Sequence, residues 1–449
     1  MTRIGFADHL FLRMHHGIGK PVSNQFLWLF DSAITREELD ILHSRLAEGL
    51  LARAVVEPVL PTARHRWIES ERSLPMDITP VAIGADGVRC WAEQRASAGL
   101  DPERGVGWQL AAAHIDGGSM VVSLVCSHMI ADGAAMIAAI RNANTAQPRG
   151  SVRSAPALGV RPPVLRAIVD DVIDTAHQVR PILAWAAGKT VATLTRSRDV
   201  APKNIPVEPR RSAARISEEP WSPPYVVVDC PVDEWRAVAA QRGGTSTSLF
   251  IGLMTALSYE FGRARPGDEL RWSLPYSNRD LADAAANSTK IVPLHVTVPD
   301  PADLDLSGIR KASKLAYGEL AARIAADGST GSIPLQLVQM LPDAVVRRLP
   351  MPADGAEGLC SNLGSLPDDF VTIGGVRARS VSARATFVGA DATFARTLGG
   401  GFTAWATETD EYVTVTLHGM DPDRMHSDDS VRDAVAAVLT RWSITHRFW

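Results

Sequence analysis

Apolar positions along the 449-residue chain follow two periods, and the change from one to the other predicts its elements. Phe6, Leu10, Phe11 and Met14 share one helical face, which predicts a helix over Gly5–Met14. Asn24-Gln-Phe-Leu-Trp-Leu-Phe30 is a short aromatic-rich run and predicts a strand. Thr35-Arg-Glu-Glu38 is a capping box, opening a helix that the pattern carries to about Ala54. His65–Ile68 predicts another short strand. Trp108–Ile115 and Met120–Ser127, joined by Asp116-Gly-Gly118, predict a β-hairpin, and Ala134–Asn142 the helix after it.

From Gln147 to Pro224 the composition changes to proline, serine and basic residues around one helical stretch, Val164 to Arg196. Three parts follow: a first lobe at 1–150, a connection at 151–224 and a second lobe at 225–449. Ser197–Pro224, with its Pro-Arg-Arg-Ser-Ala-Ala-Arg run, reads as a solvated linker. The second lobe predicts strands at Tyr225–Cys230, Arg271–Pro275, Ile291–Val298, Gly374–Ala385, Gly401–Thr407 and Tyr412–His418. Helices are predicted at Asp233–Arg242, Leu249–Gly262, Leu306–Ala326 and Asp428–Arg441. Strands alternating with helices indicate an α/β protein with mixed sheets.

Composition narrows the function. Hydrophobic residues make up 46% and charged residues 21%, the balance of a globular protein with a large core. A net charge of −4 and the absence of a basic, aromatic-interleaved stripe argue against nucleic acid as a partner. Four scattered cysteines, without a Cys-x-x-Cys pair, fit a reduced cytoplasmic protein rather than a disulfide scaffold or zinc site. The N-terminus has no signal-peptide core, and no stretch offers about 20 uninterrupted apolar residues. Pro181–Leu194 comes nearest, but Gly188 and Lys189 interrupt it; a helix packed on the protein surface is expected, with at most peripheral membrane contact.

The chemistry concentrates in Val121-Val-Ser-Leu-Val-Cys-Ser-His128-Met-Ile-Ala-Asp132-Gly133. A histidine at a strand end is held by the sheet and can take a proton near neutral pH. An aspartate four residues on, beside that loop, calls for an internal ion pair if it is buried. A core histidine followed by an ordinary Asp-Gly turn would read the same locally. His15, His16, His114 and His295 lack ligand spacing, so no metal is expected, and there is no nucleophile elbow or phosphate loop.

His-x-x-x-Asp-Gly after an apolar strand resembles the signature of the chloramphenicol acetyltransferase-like, CoA-dependent acyltransferases. Condensation domains and the wax ester synthase/diacylglycerol acyltransferases are the nearest branches. Three further features are similar in chain order: the capped helix from Thr245, the Leu274–Arg279 strand and loop with Asn287 and Val292–Val296, and Cys360-Ser-Asn-Leu-Gly364. Phe6–Leu12 is faintly similar to the opening of the wax ester synthases. The resemblance implies two lobes, each a mixed sheet flanked by helices, with the active-site tunnel between them. It implies that Arg279 pairs with Asp132 through its planar fork, and that Gly133 lets the next helix pack closely. It also implies that the second lobe lends a strand to the first around Cys360–Gly364. Ser127, Ser361 and Asn362 are candidate substrate or oxyanion-lining residues. Two departures stand out. Ser127 occupies the place of a first histidine in tandem-histidine members, and the Asp-Phe-Gly-Trp-Gly element of the plant branch is absent.

The implied reaction needs no bound metal or cofactor. An acyl group passes from acyl-CoA or a phosphopantetheine thioester on an acyl-carrier protein to a hydroxyl or amine of a small acceptor. His128 acts as general base. Secondary metabolism and lipid biosynthesis are the expected settings. The competing expectation is a non-catalytic condensation-like module that binds a carrier protein or lipid, and Ser127 keeps that alternative open.

Overall fold

The structure, a computed structural model, describes residues 2–70, 72–145, 162–195, 221–277, 279, 285–325, 339–340 and 355–449, without the side chains of 184–195 and 323–325. The linker run 209–215 lies outside the described residues. In chain order the first half holds α1 (Phe6–Arg13), β1 (Val22–Phe30), α2 (Arg36–Ala47), β2 (Arg53–Val56), β3 (Arg66–Glu69), β4 (Asp77–Ile78), α3 (Val88–Ala96), β5 (Trp108–His114), β6 (Met120–Ser127), α4 (Gly133–Thr145) and α5 (Val164–Thr195). The second half adds β7 (Tyr225–Pro231), α6 (Val232–Gln241), α7 (Ser246–Glu260), β8 (Glu269–Tyr276), β9 (Lys290–Thr297) and α8 (Ser307–Ala325). Then come β10 (Gly358–Ser365), β11 (Thr372–Ile373), β12 (Val376–Arg377), β13 (Ser380–Phe387), β14 (Phe402–Glu408), β15 (Tyr412–Gly419), the helix Asp428–Arg441 and β16 (Arg447–Phe448).

Two mixed sheets carry the fold. The first has five strands in the order β13-β1-β6-β5-β4, and the second seven in the order β16-β7-β15-β14-β10-β8-β9. The predicted hairpin is present. Residues β5 and β6 pair antiparallel from Trp108↔Cys126 to His114↔Met120, and Gly117 and Gly118 take φ of 93° and 94° in the turn. A left-handed pair of that kind favours glycine, so the turn chemistry was readable. All nine residues of β1 are buried, because the sheet is covered on both faces. Two of its polar members are satisfied: Asn24 Nδ2 donates to Ala131 O at 2.8 Å, and Gln25 Nε2 to Ala92 O at 3.0 Å and to Ser123 Oγ at 2.8 Å. Trp28 and Trp108 anchor the first core, Trp235 and Trp272 the second, all four fully buried.

Two expectations are corrected. The capping box at Thr35 forms as read, with Glu38, but α2 stops at Ala47 instead of reaching Ala54. Arg53–Val56 leaves the helix to pair antiparallel with β3, a tertiary demand that the helical pattern concealed. The strand that crosses between lobes is also not Cys360–Gly364. That segment is β10, inside the second sheet and parallel to β14 and β8. The crossing strand is β13, which pairs antiparallel with β1 from Val22↔Phe387 to Leu29↔Ser380.

The long helix α5 lies on the first lobe by its acidic side. Asp171, fully buried, accepts from Arg3 Nη2 at 2.7 Å, from Val59 N at 2.6 Å, from Leu60 N at 3.1 Å and from Arg66. Asp174 binds Arg64 Nη2 at 2.6 Å and Arg64 N at 2.8 Å. These partners hold both carboxylates below their usual range against the opposing effect of burial.

Candidate active site

His128 stands where β6 ends, as the motif predicts, and its backbone N–H donates to Val22 O of β1 at 2.8 Å. The ring stacks on Phe11 of α1, centroids 3.7 Å apart and planes within 16°. Nδ1 lies 3.0 Å from Oδ1 of Asn287. The Asn287 amide nitrogen faces only acceptors: Asp8 Oδ1 at 2.9 Å, His128 O at 2.9 Å and Met129 O at 3.4 Å. That network orients the amide, so its oxygen accepts from the imidazole. His128 therefore carries its proton on Nδ1 and leaves the Nε2 lone pair as its acceptor. Burial pushes the imidazole below its ordinary pKa of 6.5, against the opposing pull of Asp132 and the Asn287 bond, so the ring is neutral at pH 7.

Asp132 holds the loop in three ways. It caps α4, with Oδ1 accepting from Ala135 N at 2.8 Å. Its Oδ2 accepts from Ser288 N at 3.0 Å, Thr289 N at 3.3 Å and Thr289 Oγ1 at 2.9 Å. Arg279 supplies the third tie, and both side chains are nearly inaccessible, 4% and 2% exposed. The contact is not the expected two-pronged fork. One nitrogen, Nη2, is shared between the two oxygens at 3.3 and 3.4 Å, while Nη1 donates to Ala285 O at 2.8 Å. Three donors from 288–289 and the α4 cap already occupy the carboxylate, which leaves Arg279 a neutralising role. Asp132 N donates to Ala286 O at 2.9 Å, so the motif loop and the second lobe's 285–289 segment are joined from both sides.

Behind Asn287 lies Asp8, 5% exposed, its Oδ2 accepting from Gly5 N at 2.7 Å. Burial raises its pKa, opposed by the Asn287 and Gly5 bonds and by Arg53. Arg53, buried in turn, is lowered to about 10 by desolvation. The sequence reading placed neither Asp8 nor Phe11 at the site. Asp8 and Asn287 are 279 residues apart, and no spacing rule connects them. The only signals were the Phe6–Leu12 and Asn287 resemblances, which carried no role.

The remaining candidates sort less evenly. Ser127 is buried at the end of β6. Ser361 is buried on β10. Asn362 is committed locally, with Nδ2 donating to Thr247 Oγ1 at 2.9 Å and Oδ1 accepting from Gly364 N at 2.8 Å. Leu363 brings β10 up to the motif loop, since a Cβ at Gly133 would meet its Cδ2 at 3.8 Å. That is ordinary contact, so close packing does not require glycine at 133, contrary to expectation.

No group of three or more His, Cys, Asp or Glu among the described residues could hold a metal ion. No helix among them is long and apolar enough to cross a membrane. A small pocket in the second lobe beside α7 and α8, lined by Thr255, Tyr259, Leu306 and Trp442, takes in none of the residues above. The motif residues and the 285–289 segment meet in one place, and that junction is the candidate site.

No protein-family model matches the sequence, and no curated protein does. Solved structures do match in shape. A wax ester synthase/diacylglycerol acyltransferase from Marinobacter aquaeolei VT8 aligns over 98% of this chain and all of its own, with TM-score 0.55 and 14% identity. The condensation domain of the monacolin K polyketide synthase MokA covers 98% of this chain and 96% of its own, with TM-score 0.56 and 11% identity. A mutant starter condensation domain of rhizomide synthetase, solved with C8-CoA and Leu-SNAC, covers 98% and 94%, with TM-score 0.53 and 12% identity. With its five- and seven-stranded sheets flanked by helices, the chain has the two-lobed chloramphenicol acetyltransferase-like fold that these acyltransferase and condensation structures share.

Proposed function

We propose that the protein is an acyltransferase, moving an acyl group from a thioester to a hydroxyl or amine, with His128 as the general base. The observation that carries this reading is the bond from His128 Nδ1 to Asn287, which leaves Nε2 unprotonated at neutral pH. In the reaction the acceptor's oxygen or nitrogen attacks the thioester carbonyl while Nε2 takes its proton. The tetrahedral adduct then expels the thiolate, which recovers that proton from Nε2. The Nδ1 proton stays in place. A base so held contributes about 10²–10⁴ in rate. The bound C8-CoA and Leu-SNAC of the rhizomide synthetase domain are the kinds of donor and acceptor this reading brings to the chain. Acyl-CoA and an acyl-carrier protein are both candidate donors, entering a tunnel between the lobes.

Ser127 in the place of a first histidine favours a second reading, a non-catalytic module that binds a carrier protein or lipid. Free-thiol release from a panel of acyl-CoAs and carrier-protein thioesters, with alcohol and amine acceptors, separates the two. Acceptor-dependent release that falls by about 10²-fold or more in His128→Ala supports the acyltransferase. Release that survives intact in His128→Ala refutes the assigned base. Absence of release with every donor favours the binding module.

A further inference from the structure

We propose that Asp8 is a positioning residue for His128, acting through Asn287 without touching the imidazole. The proposal rests on the reading of His128 as a base that works from Nε2. Asn287 can hold His128 in that form only while its amide keeps the oxygen toward Nδ1. A flipped amide would turn its N–H groups on Nδ1 and its oxygen on Asp8 Oδ1 and His128 O, two acceptors within 2.9 Å. Asp8 is the charged member of that pair, so it weighs most against the flip.

The residue type at position 8 is determined by its two donors. Gly5 N approaches Oδ2 at 2.7 Å and Asn287 Nδ2 approaches Oδ1 at 2.9 Å. Only a carboxylate accepts on both atoms; an asparagine there would set N–H against N–H at one of them. The same helix supplies the ring's stacking partner, Phe11, three residues on. Helix α1 thus fixes both the plane of the imidazole and the site of its proton. When Nε2 gains a proton the ring becomes a cation, and the Asp8 charge reaches it through the polarised amide. Arg53 and Asp132 are the other charged groups acting on Asp8.

The test is the imidazole ¹⁵N spectrum of histidine-labelled full-length protein, with the His128 signals identified by their loss in His128→Gln. It needs no substrate, so it reports on Asp8 whether or not acyl transfer is the activity. Wild-type protein is expected to show a protonated Nδ1 and an unprotonated Nε2. In Asp8→Asn the two signals should move toward each other as the second tautomer becomes populated, and turnover should fall about tenfold at unchanged KM. Asp8→Ser, which leaves room for a water beside Gly5, gives the same reading if the asparagine variant does not fold. Adding Asp8→Asn to Asn287→Ala should change nothing further, because Asp8 acts through Asn287. A folded Asp8 variant with unchanged His128 signals, or an additive effect in the double variant, would overturn the proposal. Thiol release absent in wild type alongside the expected tautomer shift would instead sink only the acyltransferase reading.

Discussion

Asn287 and His128 are separated by 159 residues, yet a 3.0 Å hydrogen bond between them determines which imidazole nitrogen holds the proton. The two side chains come from the motif loop and the 285–289 segment, so this bond forms only where those segments meet. Asn287→Leu should therefore lower turnover by about 10- to 100-fold with KM little changed, read from thiol-release kinetics. It also leaves Asp8 without one of its donors, which should cost about 1–3 kcal/mol in urea unfolding.

The neutrality of His128 gives the pH profile a direction. Below its folded pKa the imidazolium has no lone pair to offer, and burial has moved that pKa below 6.5. kcat/KM should therefore show its acid limb centred below 6.5. An acid limb centred above 6.5 would contradict the burial of this ring.

Stability should respond in the same sense. Burial holds His9 down to about 3, with Arg13 and His65 adding to the effect, and holds His418 well below 6.5, with Arg384 adding. The unfolded chain takes up protons near 6.5 that the folded chain refuses. Their contribution is complete above 6.5 and is lost progressively toward pH 3, so the urea midpoint should decline across that window.

Asp132 and Arg279 should differ in what their removal costs. Asp132→Ala strands a buried guanidinium, uncaps α4 and frees three donors of 288–289, for a loss of about 3–5 kcal/mol. Arg279→Met leaves Asp132 its backbone donors and should cost less. Equal losses would mean that the ion pair, rather than the cap and backbone bonds, holds the loop. Gly133→Ala should be tolerated in both stability and turnover, given ordinary contact with Leu363.

Asp171→Ala should release α5. It leaves Arg3 and Arg66 against an emptied buried site, a cost of about 3–5 kcal/mol. Limited proteolysis should then cut within 164–183 ahead of the lobes, whereas wild-type α5 should resist.

What could be read in advance was local or came from the resemblance. The hairpin, the motif at its end and the buried Asp132–Arg279 pair followed from period, turn glycines and the resemblance. The end of α2 could not be read, because Arg53–Val56 keeps apolar residues that suit a helix face as well as a strand beside β3. Asp8 escaped notice because a carboxylate at the third position of a helix, bonded to Gly5 N, looks like ordinary capping. Its second oxygen makes the difference, and its partner comes from the far lobe. The resemblance points to Cys360–Gly364 as the strand lent to the first lobe, but it pairs within the second sheet, and no local pattern distinguishes it from β13 in that role.

The pairing of β13 with β1 has a consequence for the newborn chain. On the ribosome, the first 150 residues emerge with one side of β1 lacking its neighbour, since Ser380–Phe387 is made some 350 residues after Val22. Until then an aromatic strand, Phe26-Leu-Trp-Leu-Phe30, offers open backbone to any passing strand. A fragment ending before residue 380 should aggregate, and the complete chain should regain its first sheet only as a late step of folding.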